Sequence, residues 1–292
     1  MIPYFEQPVL HLGPLSIHAF GVLLALALLL GLRLVRWRAR RQDLDEATTE
    51  RLVWYALGFG VVGAHLYSVL AYFPHRLAED PWLLLRVWEN ISSTGAFLGG
   101  ALGLWVYFRF RERGLPAARR WRHLDAVAFS LPFAWAVGRL GCTFAHDHPG
   151  RITGFFLGRS LETEAARDYI TGVYAAAGRA GDLTPPAELA GMAFHDLGWY
   201  EFLYLSLVMV PAFLWLDREE RRPGFWVGAF VLSYAPVRFA LDFLRVGDAR
   251  YLALTPAQWA VLAVLAVVGV WWLRGGWAGA GRLETEGSAP WR

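Results

Sequence analysis

Seven stretches of about twenty mostly apolar residues constrain this chain more than any other feature: roughly 15–35, 52–72, 92–110, 124–143, 199–216, 224–244 and 255–273. A helix of about 20 residues crosses the hydrocarbon of a bilayer. Backbone groups find no partner in lipid, so runs of this kind are expected to be helices with internally paired amides. Charged residues make up 18% of the chain, below the roughly 25% of a soluble domain, and 56% of residues are hydrophobic. The sequence therefore predicts an all-α polytopic membrane protein of about seven transmembrane helices.

All 28 basic residues are arginine. A pI near 9.2 raises nucleic acid as a partner, but the arginines fall in short blocks between apolar runs, the pattern of topology signals. No nucleic-acid partner is expected. Eighteen arginines lie in the blocks Arg33–Arg51, Arg109–Arg122, Arg218–Arg222 and Arg274–Arg292 on one side, against eight in the opposite loops. The positive-inside rule puts the N-terminus outside and the C-terminus in the cytoplasm. No basic residue precedes the run Leu15–Leu34, which is too long for a signal-peptide core, so a retained first helix is expected. The division that follows is helices 1–4 over 1–143, a small extracytoplasmic head over 144–198, helices 5–7 over 199–274 and a mobile cytoplasmic tail over 275–292.

Ionisable residues inside apolar spans cost about 2.5–3.5 kcal/mol on insertion scales and are rare unless paired or functional. Here there are several. Arg139 sits in Gly138-Arg139-Leu140-Gly141-Cys142 and Asp147 in His146-Asp147-His148-Pro149-Gly150. Glu201 opens the fifth span, Arg238 and Asp242 stand four apart on the sixth, and Arg245 and Asp248 follow them. The expected topology brings all of these to the outer leaflet, which suggests a polar cavity there. Paired arginines suit a phosphate, because guanidinium offers fixed, bidentate donors, and the phosphate at that depth is a phospholipid headgroup.

Plainer readings stand beside this one. Arg238 and Asp242 serve equally as a structural ion pair, and Arg139 as a snorkelling interface residue. His146 and His148 are loop histidines or metal ligands; a His-Asp-His run without a third ligand is a weak signal, and no metal or other cofactor is expected. The single cysteine, Cys142, excludes an internal disulfide and reads as a small packing residue. The tryptophans read as interface anchors.

The stretch Asp125 through Thr153, the triplet Trp199-Tyr200-Glu201, the segment Tyr234-Ala-Pro-Val-Arg238-Phe-Ala-Leu-Asp242-Phe-Leu-Arg245 and the following Leu254-Thr255-Pro256-Ala257-Gln258 resemble, in order, motifs of the bacterial prolipoprotein diacylglyceryl transferases. That family transfers a diacylglyceryl group from phosphatidylglycerol to a substrate cysteine thiol and releases glycerol phosphate. The resemblance implies a bacterial inner-membrane enzyme whose partners are phosphatidylglycerol, other membrane lipids and the lipobox of a prolipoprotein signal peptide. It implies that Arg139 and Arg238 contact the lipid, that Asp147 and Asp242 share their polar network and that Glu201 organises it, with Tyr234, Arg245 and Thr94 among the substrate-binding positions. Departures are several. Thr94, in Ser92-Ser93-Thr94-Gly95-Ala96, stands where the family carries histidine, and Cys142 where it carries asparagine. Phe20 stands for a tyrosine, His65 for an arginine, and Asp147 and Asp242 for glutamates. A thiol reacts as thiolate, Thr94 is no base, and His146 or His148 is the expected replacement. A non-catalytic lipid-binding or lipid-moving relative is the alternative.

Overall fold

A computed structural model describes residues 1–273 apart from 88, 90 and 184–188; the tail expected over 275–292 lies outside the described residues. In chain order the elements are β1 (Val9–Leu12), β2 (Leu15–His18), α1 (Ala19–Arg41), α2 (Glu46–Tyr72), α3 (Pro74–Glu79), α4 (Ser93–Phe110), α5 (Ala117–Ala145), β3 (Pro149–Thr153), β4 (Arg159–Ser160), α6 (Glu164–Ala176) and β5 (Ala193–Asp196). Then come α7 (Leu197–Tyr204), a π turn (Leu205–Met209), α8 (Val210–Leu216), α9 (Phe225–Leu241), a 3-10 turn (Asp242–Leu244) and α10 (Pro256–Leu273).

Among the described residues, five helical stretches are long and apolar enough to cross a membrane: Ala19–Arg41, Glu46–Tyr72, Ala117–Ala145, Leu197–Leu216 and Phe225–Leu244. The chain is thus mostly helical, as a polytopic helical membrane protein must be. Pro256–Trp271 is a shorter apolar helix, and α4, though 18 residues long, is diluted by glycine. The first span begins later than expected. Residues 15–18 form the second strand of a hairpin, with Leu12 paired to Leu15, because Gly13 at φ +62° supplies the left-handed turn before Pro14. It also runs further, to Arg41. Arginine is a good helix former, and Arg36 and Arg40 find Glu50 and Glu46 on α2 at 2.7 and 2.9 Å.

The chain divides into two compact units. The first comprises Met1–Gly31, Pro132–Leu216 and Pro236–Thr255. Beside the β1-β2 hairpin, it holds an antiparallel sheet of order β3-β5-β4, and α6 packs there through Ala166, Ile170 and Tyr174 against Leu161, Leu189, Phe194 and Val246. The N-terminal residues are tied into it: Ile2 exchanges backbone hydrogen bonds with Gly158 and Ser160 at 2.9 and 2.8 Å. The second unit comprises Leu32–Leu131, Asp217–Ala235 and the chain from Pro256. There α2 and α4 lie backbone to backbone. A Cβ on Gly63 would stand 2.6 Å from the carbonyl oxygen of Gly95 and 2.7 Å from Cα of Gly99, the close approach that small residues permit between membrane helices. His65, buried on α2, sets its two ring nitrogens 2.7 and 3.0 Å from the carbonyl oxygens of Glu89 and Leu83, a structural use. Asp125 accepts from the backbone N–H groups of Gly224, Trp226 and Val227 at 2.6, 2.9 and 3.1 Å, satisfying donors that the start of α9 leaves open.

Candidate active site

The site is assembled within the first unit, from the C-terminal half of α5, from α7 and from the end of α9. α5 carries Arg139 one turn before Cys142. α7 starts directly against that turn: a Cβ on Gly198 would lie 3.1–3.2 Å from Thr143 and Cys142, so glycine lets the two backbones meet. Asp196 caps α7 by accepting from the Trp199 N–H at 3.1 Å, fixing its first turn. Glu201, one turn in, then reaches Arg139. α9 brings Arg238 two residues after Pro236, and its helical geometry tightens into a 3-10 turn at Asp242.

These side chains form one chain of charges. Glu201 Oε2 lies 2.8 Å from Arg139 Nε, and Oε1 accepts from Arg238 Nη1 at 3.2 Å. Arg238 Nη2 lies 2.7 Å from Asp242 Oδ1, and Asp242 Oδ2 accepts from the Thr255 hydroxyl at 2.5 Å. All five residues are buried. Two guanidiniums and two carboxylates cancel, so the cluster enters an apolar interior without net charge, which is what makes its burial tolerable. The Arg139 guanidinium also lies 4.9 Å from the ring centre of Trp135, a cation–π contact.

The loop after α5 adds the second half. Asp147 Oδ1 pairs with His148 Nδ1, and His148 Nε2 stands 3.1 Å from Arg139 Nη1. That nitrogen also donates to Cys142 Sγ at 3.6 Å. Arg245 is brought alongside by a backbone bridge to Gly150, where a side chain would strike Cβ of His195 at 2.7 Å, and it pairs with Asp248 at 3.1 Å. Burial draws Asp147 upward, but His148 and Arg139 outweigh it and hold the carboxyl below its usual range. Burial pushes the His148 imidazole down and the Asp248 carboxyl up.

The residues that sequence reasoning grouped fall in both units. Arg139, Asp147, His148, Glu201, Arg238 and Asp242 come together. His146 points elsewhere. Its backbone is left-handed at φ +52°, its Nε2 is 2.7 Å from the Phe5 carbonyl oxygen, and its ring stacks on Tyr4 at 4.8 Å. Its neighbour there is Asp196, which binds Arg159 at 2.8 Å. Thr94 and Tyr234 belong to the second unit. Thr94 lies in the first turn of α4, capped by Ser92, and Tyr234 stacks on Phe230 at 5.6 Å.

Thr255, Cys142 and the Arg159–Asp196 pair were missed as polar partners. Thr255 and Cys142 had a signal, their places in recognised motifs. Cys142, Asp147 and His148 hold their ligand atoms within 4.8 Å of one another, a cluster that takes two residues of the His-Asp-His run and Cys142 in place of His146. Arg139 Nη1 already bridges two of the three, and its fixed positive charge repels a cation from that spot.

The model of the prolipoprotein diacylglyceryl transferase family matches residues 7–274. A protein of Thermus thermophilus named phosphatidylglycerol–prolipoprotein diacylglyceryl transferase is 34% identical over 80% of this chain and 81% of its own length. Proteins of the same name from Symbiobacterium thermophilum and Chromobacterium violaceum are 25% and 28% identical, over 94% and 92% of this chain and 95% and 94% of theirs. With a match that covers nearly all of its length, the chain belongs to the prolipoprotein diacylglyceryl transferase family.

Proposed function

We propose that this protein transfers the diacylglyceryl group of phosphatidylglycerol to the thiol of a lipobox cysteine in a prolipoprotein, as the names of its relatives state for them. The observation that carries the reading is the buried pair Arg139 and Arg238, bridged by one carboxylate of Glu201. Two guanidiniums held this way share the charge of a bound phosphodiester and, more strongly, the charge that grows on the phosphate as it departs. Donors fixed before the reaction stabilise such charge most, because nothing must reorganise. Asp242, held by Thr255, keeps Arg238 in place, and Glu201 keeps the two guanidiniums in register. Arg245, Tyr234 and Thr94 are the further positions we assign to substrate binding, the last two on the resemblance alone.

The nucleophile is the substrate's own thiol, so the protein needs no reactive cysteine. The setting we propose is the bacterial inner membrane, with seven spans, the N-terminus and residues 144–198 outside and the C-terminal tail in the cytoplasm. The excess of arginine in the loops assigned to the cytoplasm supports it.

The test uses purified protein, phosphatidylglycerol and a lipobox peptide with one cysteine. We expect a diacylglyceryl mass gain with release of glycerol phosphate, and at least a 100-fold loss in Arg139→Ala. Arg139→Ala is preferable to a change at Glu201. The first leaves Glu201 its bond to Arg238, whereas removing Glu201 strips a buried partner from two cations at once, a loss of about 3–5 kcal/mol. Thr94 in place of histidine favours a non-catalytic lipid-binding relative. Phospholipid binding without any mass gain, across several lipids, would establish that alternative.

A further inference from the structure

His148 is held on both sides. Its Nδ1 meets Asp147, and its Nε2 stands 3.1 Å from Arg139 Nη1. Guanidinium has donors only, so Nε2 is the accepting nitrogen and the ring proton sits on Nδ1, against the carboxylate. That is the tautomer of a base oriented by an acid, with its lone pair aimed at the arginine that the transferase reading gives to phosphate. The charged and titratable groups facing the ring are Asp147 on its own loop, Arg139 and Cys142 from α5, and Arg245 and Asp248 from the segment after α9. The side chains are reachable from solvent, 13% exposed for His148 and 38% for Asp147.

We infer that His148 is the base that takes the substrate thiol's proton, and that Arg139 blocks it until a phosphodiester binds. This rests on the transferase reading. Arg139 Nη1 carries two N–H groups and already serves two acceptors, His148 and Cys142, and an anionic phosphate oxygen is a stronger acceptor for a charged donor than a neutral imidazole nitrogen or a thiol sulfur. Phosphate therefore draws Nη1 away and uncovers Nε2. The thiol proton passes to Nε2, and the sulfur forms a bond to the glycerol carbon as that carbon's bond to the phosphate oxygen breaks. The electron pair stays on the departing phosphate between Arg139 and Arg238, and Asp147 stabilises the imidazolium. The proton then leaves Nε2 for the released glycerol phosphate or for water. Lipid must bind before the thiol is activated. The device supplies a base in a chain whose Thr94 has none to offer.

Two measurements test it on the full-length protein. The first is the pH profile of kcat/KM with phosphatidylglycerol vesicles and a single-cysteine lipobox peptide. Wild type rises with pH as His148 loses its proton and levels off below the ordinary thiol pKa of about 8.5. His148→Gln loses about 10²–10⁴-fold at pH 7 and regains most of it above pH 9, where the thiol ionises unaided. A loss that is the same at every pH, no loss at all, or the recovering profile in His146→Gln instead of His148→Gln overturns the assignment. The second measurement needs no turnover: the rate at which diethyl pyrocarbonate modifies His148, followed by mass spectrometry. Arg139→Ala, with no lipid present, is expected to speed modification several-fold. An unchanged or slower rate overturns the block by Arg139, even in a protein that transfers nothing.

Discussion

Arg238 holds two carboxylates with different nitrogens of one planar group, Glu201 at 3.2 Å and Asp242 at 2.7 Å. A lysine keeps the charge but offers a single nitrogen, which cannot span both acceptors in this geometry. Arg238→Lys is expected to lower kcat/KM by about 10²–10³-fold with helix content preserved, as steady-state kinetics and circular dichroism would show. At this scale the sequence was legible where charge stood in an apolar run. Arg139, Glu201, Arg238 and Asp242 are conspicuous because lipid offers them nothing. It was illegible where the backbone path decides. His146 and His148 are equivalent on paper, and a left-handed residue at 146 sends one to the Phe5 carbonyl while the other meets Arg139. Thr255 is an ordinary residue until the fold carries it to Asp242, 13 positions away in sequence.

Among elements, the long apolar helices were readable, whereas α3, α6 and the strands were not. The expected spans coincide with helices because apolar length is a strong signal, though their ends moved: α5 begins at Ala117 and α1 continues to Arg41. The hairpin Val9–His18 and the sheet within 144–198 are built from strands of two to five residues, too short to establish a period. Gly95, Gly99 and Gly103 recur every four residues on α4 and face α2, where a Cβ on Gly99 would collide with the Phe59 carbonyl and stand 2.9 Å from Cα of Gly63. Gly99→Leu is expected to cost at least about 1–3 kcal/mol, read as a lower midpoint of thermal unfolding in detergent. Gly58 on α2 has open space around a Cβ, so Gly58→Ala should leave that midpoint level or slightly raised.

For the molecule as a whole, the arrangement in the membrane rests on arginine distribution, and it has a direct test. With Cys142 replaced by serine, single cysteines at Arg113 and Gly154 stand in exposed positions of α4–α5 and of the segment after β3. A membrane-impermeant maleimide applied to intact cells is expected to label position 154 and to spare 113 until the cells are opened. The reverse pattern would invert the topology. The composition that made a membrane protein legible said nothing of the two compact units, since chain-distant segments such as Met1–Gly31 and Pro236–Thr255 join one of them. Long-range association of this kind is set by tertiary packing and not by any local pattern.

Just before Thr255, the chain turns back at Leu252 and Ala253, with Tyr251 and Leu254 hydrogen-bonded across the turn. Both central residues are left-handed, at φ +50° and +69°, a conformation that costs an ordinary side chain roughly 1–2 kcal/mol and that asparagine or glycine adopts readily. Leu252 is also 88% exposed. The protein thus holds a reserve of stability outside its core, in two surface side chains, where an engineer seeking a hardier catalyst could draw on it without altering Arg139, Glu201 or Arg238.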